Sequence, residues 1–170
     1  MYRQRHSEGQ KLWIMLCGVL SAVLVILMTA GPARSQSRYT VSTDGSTVTD
    51  SQTGLVWQRC TAGQVPPDCV GNFKYYTHEQ ALAYAATQAG AGWRLPNIKE
   101  LSSLVDHSVP PNSGAASIDS VAFPRTPATT NFWSSTPAAI NSSGAWGVYF
   151  GGGLVISNLR YDTSAVRLVR

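Results

Sequence analysis

The chain has 170 residues, 44% of them hydrophobic and only 13% charged, with fifteen Gly and nine Pro. That length argues for one folded domain, and the composition excludes a coiled coil, a collagen, a long-helix bundle and a wholly disordered chain. The formal net charge is +4, yet from residue 36 onward nine basic side chains face eight acids, leaving +1; nucleic-acid binding, which needs a basic patch within the domain, finds no support there.

Residues 1–11 carry Arg3, Arg5, His6 and Lys11 against Glu8, and residues 12–30 are uncharged. A basic head before an apolar run is an export signal. Ala33 and Ser35 put small side chains at the −3 and −1 positions of a cut before Gln36. The run also reaches the ~18 residues that span a membrane. Residues 1–35 are therefore read as a signal peptide or an N-terminal membrane anchor, a hydrophobic helix ahead of the domain. Both readings export residues 36–170 to the periplasm, the cell surface or the medium, because the positive end stays inside. An uncleaved leader would hold the chain in the inner membrane through residues 12–30, its only membrane contact.

Short β-prone runs open the domain. Tyr39-Thr40-Val41 precedes the hairpin signal Asp44-Gly45, and Thr47-Val48-Thr49 and Leu55-Val56-Trp57 follow. Residues 60–76 read as a loop. Thr77 with Gln80 predicts a capping box for a first helix that ends near Gly90. Asn97 and Glu100 start a second helix with Ile98, Leu101, Leu104 and Val105 on its apolar face, stopped by Pro110-Pro111. Residues 107–131 read as a long irregular loop. Phe132–Ser135, the period-2 run through Trp146, Val148 and Phe150, and Leu154–Ile156 read as strands, with a hairpin turn at Gly151–Gly153. Val166–Arg170 ends the chain as a strand near the first ones. Strands, two helices and strands again predict an α+β domain with a twisted antiparallel sheet and long loops.

Once Cys17 is assigned to the leader, Cys60 and Cys69 remain, an even count in an exported protein. Nine positions apart around a Gly/Pro loop, they are expected to form a disulfide. No third ligand lies near enough in sequence for a metal reading, and the spacing is not the Cys-x-x-Cys of a redox pair.

Five islands occur in order: Thr53-Gly54-Leu55-Val56-Trp57-Gln58-Arg59; Trp93-Arg94-Leu95-Pro96 with Glu100-Leu101; Phe132-Trp133-Ser134-Ser135-Thr136; Ala145 to Phe150; and Val166 to Arg170. Together they resemble the Legionella collagen-like (Lcl) protein C-terminal domain family, over about residues 38–170. That family is similar in fold to the C-type-lectin-like superfamily, which implies a twisted antiparallel sheet, two helices and long loops. Its named member is a surface adhesin that binds sulfated polysaccharides. The collagen-like repeats of that adhesin do not occur in these 170 residues, so the resemblance does not extend to a collagen stalk.

Candidate site residues are few. Trp57, Trp93, Trp133 and Trp146 are expected in the core, which leaves Tyr149 as the exposed aromatic. Arg94 and Arg160 are the candidates to grip a sulfate or carboxylate. Arg94, Arg160, Arg167 and Arg170 otherwise pair with the sparse acids or sit on solvated edges. His78 and His107 read as structural, since no Gly-x-Ser-x-Gly elbow accompanies them. No His-Glu-x-x-His or EF-hand pattern is present. Asp106 and Asp119 with loop carbonyls are the one conceivable calcium set, and neither a metal nor a cofactor is expected. The expected function is an exported, non-catalytic recognition module for a surface glycan (a polysaccharide) or an envelope protein. The alternative is a membrane-anchored structural accessory of an envelope or pilus-like assembly. An enzyme ranks third: formylglycine-generating enzymes share the superfamily fold, but nothing beyond Cys60 and Cys69 echoes their reactive cysteine pair.

Overall fold

The three opening β-prone runs form β1 (Tyr39–Val41), β2 (Thr47–Asp50) and β3 (Val56–Gln58), in a computed structural model that describes residues 37–111 and 113–170. The leader, with the hydrophobic helix expected in it and Cys17, lies outside the described residues. The sheet is an antiparallel meander in the order β1-β2-β3. Its first turn closes where Gly45, at φ +67°, donates to the Ser42 carbonyl at 2.9 Å.

Both capping boxes form as the sequence predicts. Thr77 starts α1 (His78–Thr87), exchanging hydrogen bonds with Gln80, and Asn97 starts α2 (Ile98–Ser102), exchanging them with Glu100. A 3-10 turn over Ala89–Ala91 ends the first helix at Gly92. The second helix is shorter than expected and stops well before Pro110-Pro111. The Ser102 and Ser103 hydroxyls donate back to the Lys99 and Glu100 carbonyls, a local alternative that competes with the helical ladder. His107 consequently lies in a turn beyond the helix, not at its end. The described residues between 103 and 130 contain no regular helix or strand.

The second half builds β4 (Asn131–Pro137), β5 (Gly144–Tyr149) and β6 (Leu154–Leu159), again antiparallel in chain order. The predicted α+β class holds, with two three-stranded sheets in place of one. Successive residues of a strand face opposite ways, so this second sheet separates two apolar clusters. Phe132, Val148 and Phe150 join Trp57, Leu101, Leu104 and Phe123 in one. Trp133 and Ala145 join Ala81, Ala85 and Leu95 in the other. Gly147 is required at the β4–β5 contact, because an added Cβ would stand 2.5 Å from the Phe132 carbonyl oxygen.

The C-terminal segment is extended and buried but is not a regular strand. Its hydrogen bonds are divided among several partners: Ala165 with β4, Val166 with Ala62, Leu168 with Gln58, Val169 with Arg94, and Arg170 with Val56. Its side chains still alternate, Ala165 and Val169 entering the first cluster and Val166 and Leu168 the second. The segment therefore ties β3 to the second sheet. Two of the four tryptophans expected in the core, Trp57 and Trp133, are fully buried, whereas Trp93 and Trp146 are only partly covered.

Candidate functional site

The N-terminus of α1 and the chain leaving β6 form one groove. Thr77 turns the chain into the helix and sets His78 and Glu79 in its first turn. The His78 amide donates to the Arg160 carbonyl at 3.0 Å, and the Arg160 amide donates to the Ser143 carbonyl at 2.8 Å. The result is a groove of about 590 Å³ lined by Thr77, His78, Glu79, Leu82, Ser143, Arg160 and Tyr161.

Its rim and floor differ in character. Tyr161 is 71% exposed and Leu82 42% exposed, so the groove carries accessible apolar surface. Arg160 anchors its Nε on the Gly144 carbonyl at 3.1 Å. Among the described residues its two terminal nitrogens make no hydrogen bond, so a groove-lining residue keeps free donors. Glu79 supplies a carboxylate acceptor. His78 is buried in the floor, its Nε2 donating to the Ser134 carbonyl at 3.0 Å and its ring edge-on to Trp133 at 5.2 Å. Burial pushes the imidazole below its ordinary range, the hydrogen bond to Ser134 opposes this, and the Arg160 charge adds to it. The ring is neutral at pH 7 and protonated at Nε2. Among the described residues no serine or cysteine side chain bonds to it: Ser134 turns its hydroxyl to the Trp146 carbonyl at 2.7 Å.

Of the residues singled out from sequence, Arg160 and His78 lie in this groove, His78 as its buried floor, and Arg94, Tyr149, Arg167 and Arg170 do not. Arg94 forms a two-pronged ion pair with Glu100, at 2.8 and 2.7 Å. That is the pairing with sparse acids expected of these arginines. Tyr149 is half-buried at the end of β5, paired with Leu154. Arg170 stacks on the Trp93 ring at 4.5 Å. Arg167 departs from the expectation: it is fully buried, and no carboxylate among the described residues pairs with it. Tyr161 and Leu82 were missed. The signal for the first was the turn Arg160-Tyr161-Asp162, where an aromatic sits among charges instead of in a strand.

Asp106 and Asp119 do share a groove, of about 410 Å³, with Arg125 and Thr126. Each carboxylate is occupied by its own turn. Asp106 accepts from the Ser108 hydroxyl and amide, which hold it below the usual carboxylate range. Asp119 accepts from the Val121 and Ala122 amides. Among the described residues no three His, Cys, Asp or Glu side chains converge. The expected disulfide is present between Cys60 and Cys69, with Cα atoms 5.0 Å apart. It closes a loop that Arg59 clamps by donating to the Pro67, Ala122 and Val121 carbonyls.

A family model described as Lcl C-terminal domain matches residues 46–170. The match contains the whole groove and both cysteines. No curated protein matches the chain.

Proposed function

Because the chain belongs to the Lcl C-terminal domain family, we propose that it is an exported, non-catalytic recognition module that binds a surface glycan in the Arg160–Tyr161 groove. On this reading the domain adopts a C-type-lectin-like fold, and the leader delivers it to the periplasm or the cell surface. The observation that carries the proposal is the exposed Tyr161 ring beside an Arg160 guanidinium with unengaged donors, within one groove. An aromatic face stacks on the apolar face of a sugar ring. A guanidinium grips a carboxylate or sulfate with two parallel hydrogen bonds. Glu79 accepts from sugar hydroxyls. The buried, neutral His78, with no nucleophile bonded to it, favours binding over hydrolysis.

A second reading has its own support. Leu154 and Val155 are exposed on β6, the outer strand of its sheet, a surface suited to an envelope protein in a structural accessory. A glycan array probed with the expressed chain separates the two. Binding of acidic glycans, lost in Arg160→Ala and Tyr161→Ala and kept in Tyr161→Phe, supports the module. An empty array together with co-purification of an envelope protein supports the accessory.

A further inference from the structure

A second cavity lies on a different part of the domain, and its chemistry is unlike that of the groove. It measures about 230 Å³ and is walled by Ser46, Thr47, Gln58, Gln64, Tyr84 and Trp93 together with the disulfide loop. Among the described residues no charged side chain lines it. We infer that this cavity is a binding site for a single uncharged sugar residue, separate from the Arg160–Tyr161 groove.

Three observations carry the inference. First, both aromatic rings are held in place by neighbours. Trp93 is covered by the Arg170 guanidinium at 4.5 Å, and Tyr84 stacks on Tyr76 at 5.2 Å with an interplanar angle of 26°. Rings fixed this way present apolar surface at little cost in side-chain freedom. Secondly, the polar lining consists of amides and hydroxyls. The Gln58 side-chain carboxamide and the Thr47 hydroxyl make no hydrogen bond among the described residues, and both residues are half-buried, so these groups are ready to pair with ligand hydroxyls. Gln64 is braced by accepting from the Thr61 amide at 3.1 Å.

Thirdly, a buried cation lies behind the wall. Thr61, part of that wall, accepts from Arg167 Nη2 at 3.3 Å. Arg167 is fully buried, and its Nε and Nη1 have no hydrogen-bond partner among the described residues. Such a charge acts through a low-dielectric interior. It favours oxygen acceptors in the cavity and disfavours an ammonium group. An anionic sugar would find no charged donor in direct contact, since among the described residues no lining side chain is charged, and the cation behind Thr61 reaches it only through the wall. The volume also sets a limit. Sites for drug-sized ligands run to about 300–1,000 Å³, and this one accommodates one ring of a chain end.

The disulfide shapes the cavity. Cys60 and Pro66 both line it. Gly63 holds the loop against residue 74 at φ +101°, where an added Cβ would stand 2.9 Å from the Lys74 amide nitrogen. The geometry of the site thus depends on the closed 60–69 loop.

Saturation-transfer NMR on the full chain tests this, using methyl α-glucoside, methyl α-mannoside and methyl β-galactoside as probes, with methyl β-glucuronide as the anionic comparison. At least one neutral glycoside is expected to receive saturation and to shift the Trp93 indole resonance. Thr47→Val/Gln58→Leu, which keeps volume and removes the two unengaged polar groups, is expected to weaken that binding at least tenfold. Arg160→Ala is expected to leave it unchanged. Where the double variant lacks a cooperative melt, Thr47→Val alone is read, with a several-fold loss expected. The inference is overturned by no transfer to any neutral glycoside, by stronger transfer to the glucuronide with the same Trp93 shift, by unchanged affinity in the polar variants, or by loss of binding in Arg160→Ala. The groove reading stands or falls separately, on acidic glycans and on Arg160 and Tyr161.

Discussion

The Arg167 guanidinium lies 4.6 Å from the centre of the Phe123 ring and 5.8 Å from that of Phe132, fully buried and facing no carboxylate. Aromatic faces and two threonine hydroxyls, Thr126 at 2.9 Å and Thr61 at 3.3 Å, are its compensation. Burial pushes its pKa down to about 9, with Tyr39 opposing, so it remains a cation at pH 7. Removing such a charge while keeping its volume relieves desolvation, whereas truncating it leaves a hole. Arg167→Met is therefore expected to melt within about 1 kcal/mol of the native protein or above it, and Arg167→Ala about 3 kcal/mol below. Urea denaturation at pH 7 measures both. Equal losses in the two variants would show that the guanidinium's polar contacts dominate.

Asp50 is the opposite case, a buried charge that is well paired. Its carboxylate accepts from Arg38 Nε and Nη2 at 2.9 and 2.6 Å, from the Gln52 amide and from the Thr53 hydroxyl. Burial alone would raise its pKa. The Arg38 hydrogen bonds, the two local donors and the Arg38 charge outweigh it and hold the group below its usual range. A depressed carboxyl contributes stability that is present above the unfolded pKa, near 3.9, and lost as pH falls through the folded value. Asp50→Asn is expected to cost about 2–4 kcal/mol at neutral pH and to flatten the acid limb of the stability profile below pH 4. A variant within 0.5 kcal/mol of native, on a scale of about 1 kcal/mol per ordinary hydrogen bond, would mean that the pair is dispensable.

The contrast between these two residues shows what the sequence could reveal. Local signals were legible: Thr77 with Gln80, Asn97 with Glu100, Asp44-Gly45 and the period-2 run at Trp146–Phe150 act through neighbours in the chain. The division into two sheets was not, because it depends on where residues 164–170 send their hydrogen bonds, to partners as near in sequence as Asn131 and as far as Val56. Arg167 shows the same limit. Its alternation with Val166 and Leu168 resembles an exposed edge, and only the convergence of Phe123 and Phe132 makes it interior. Within the groove, Arg160 was legible as an arginine beside a strand. Leu82 was hidden by an amphipathic pattern that assigns leucines to the core.

The Cys60–Cys69 bridge closes a small loop. In the loop-entropy account a ring of this size is worth about 2.5 kcal/mol. The loop is also held by Arg59 and by the Val65–Val70 backbone pair. Cys60→Ser/Cys69→Ser is therefore expected to retain both sheets and to melt about 10 °C lower. Thermal melts followed by far-UV and near-UV dichroism check it. Loss of the β-sheet signal at 25 °C would show that the bridge holds the fold and not merely its loop.

His78 makes the stability of the groove floor depend on pH. Its imidazole is buried, donates from Nε2 to the Ser134 carbonyl and sits beside the Arg160 backbone, with Glu79 next along the helix. Burial, aided by the Arg160 charge, lowers its pKa in the folded state. The unfolded chain therefore takes up a proton near pH 6.5 while the native chain does not. The contribution is complete above pH 6.5 and declines as pH falls toward the folded value, at a limiting slope of about 1.4 kcal/mol per pH unit. His78→Gln keeps an amide donor for Ser134 and removes the titration. Native protein is expected to lose stability as pH falls below 6.5 more steeply than the variant. Parallel urea titrations at half-unit steps give the difference directly, free of every group the two proteins share. Superimposable profiles would mean that the ring protonates in place, and the groove floor would then carry a second positive charge beside Arg160 in mild acid.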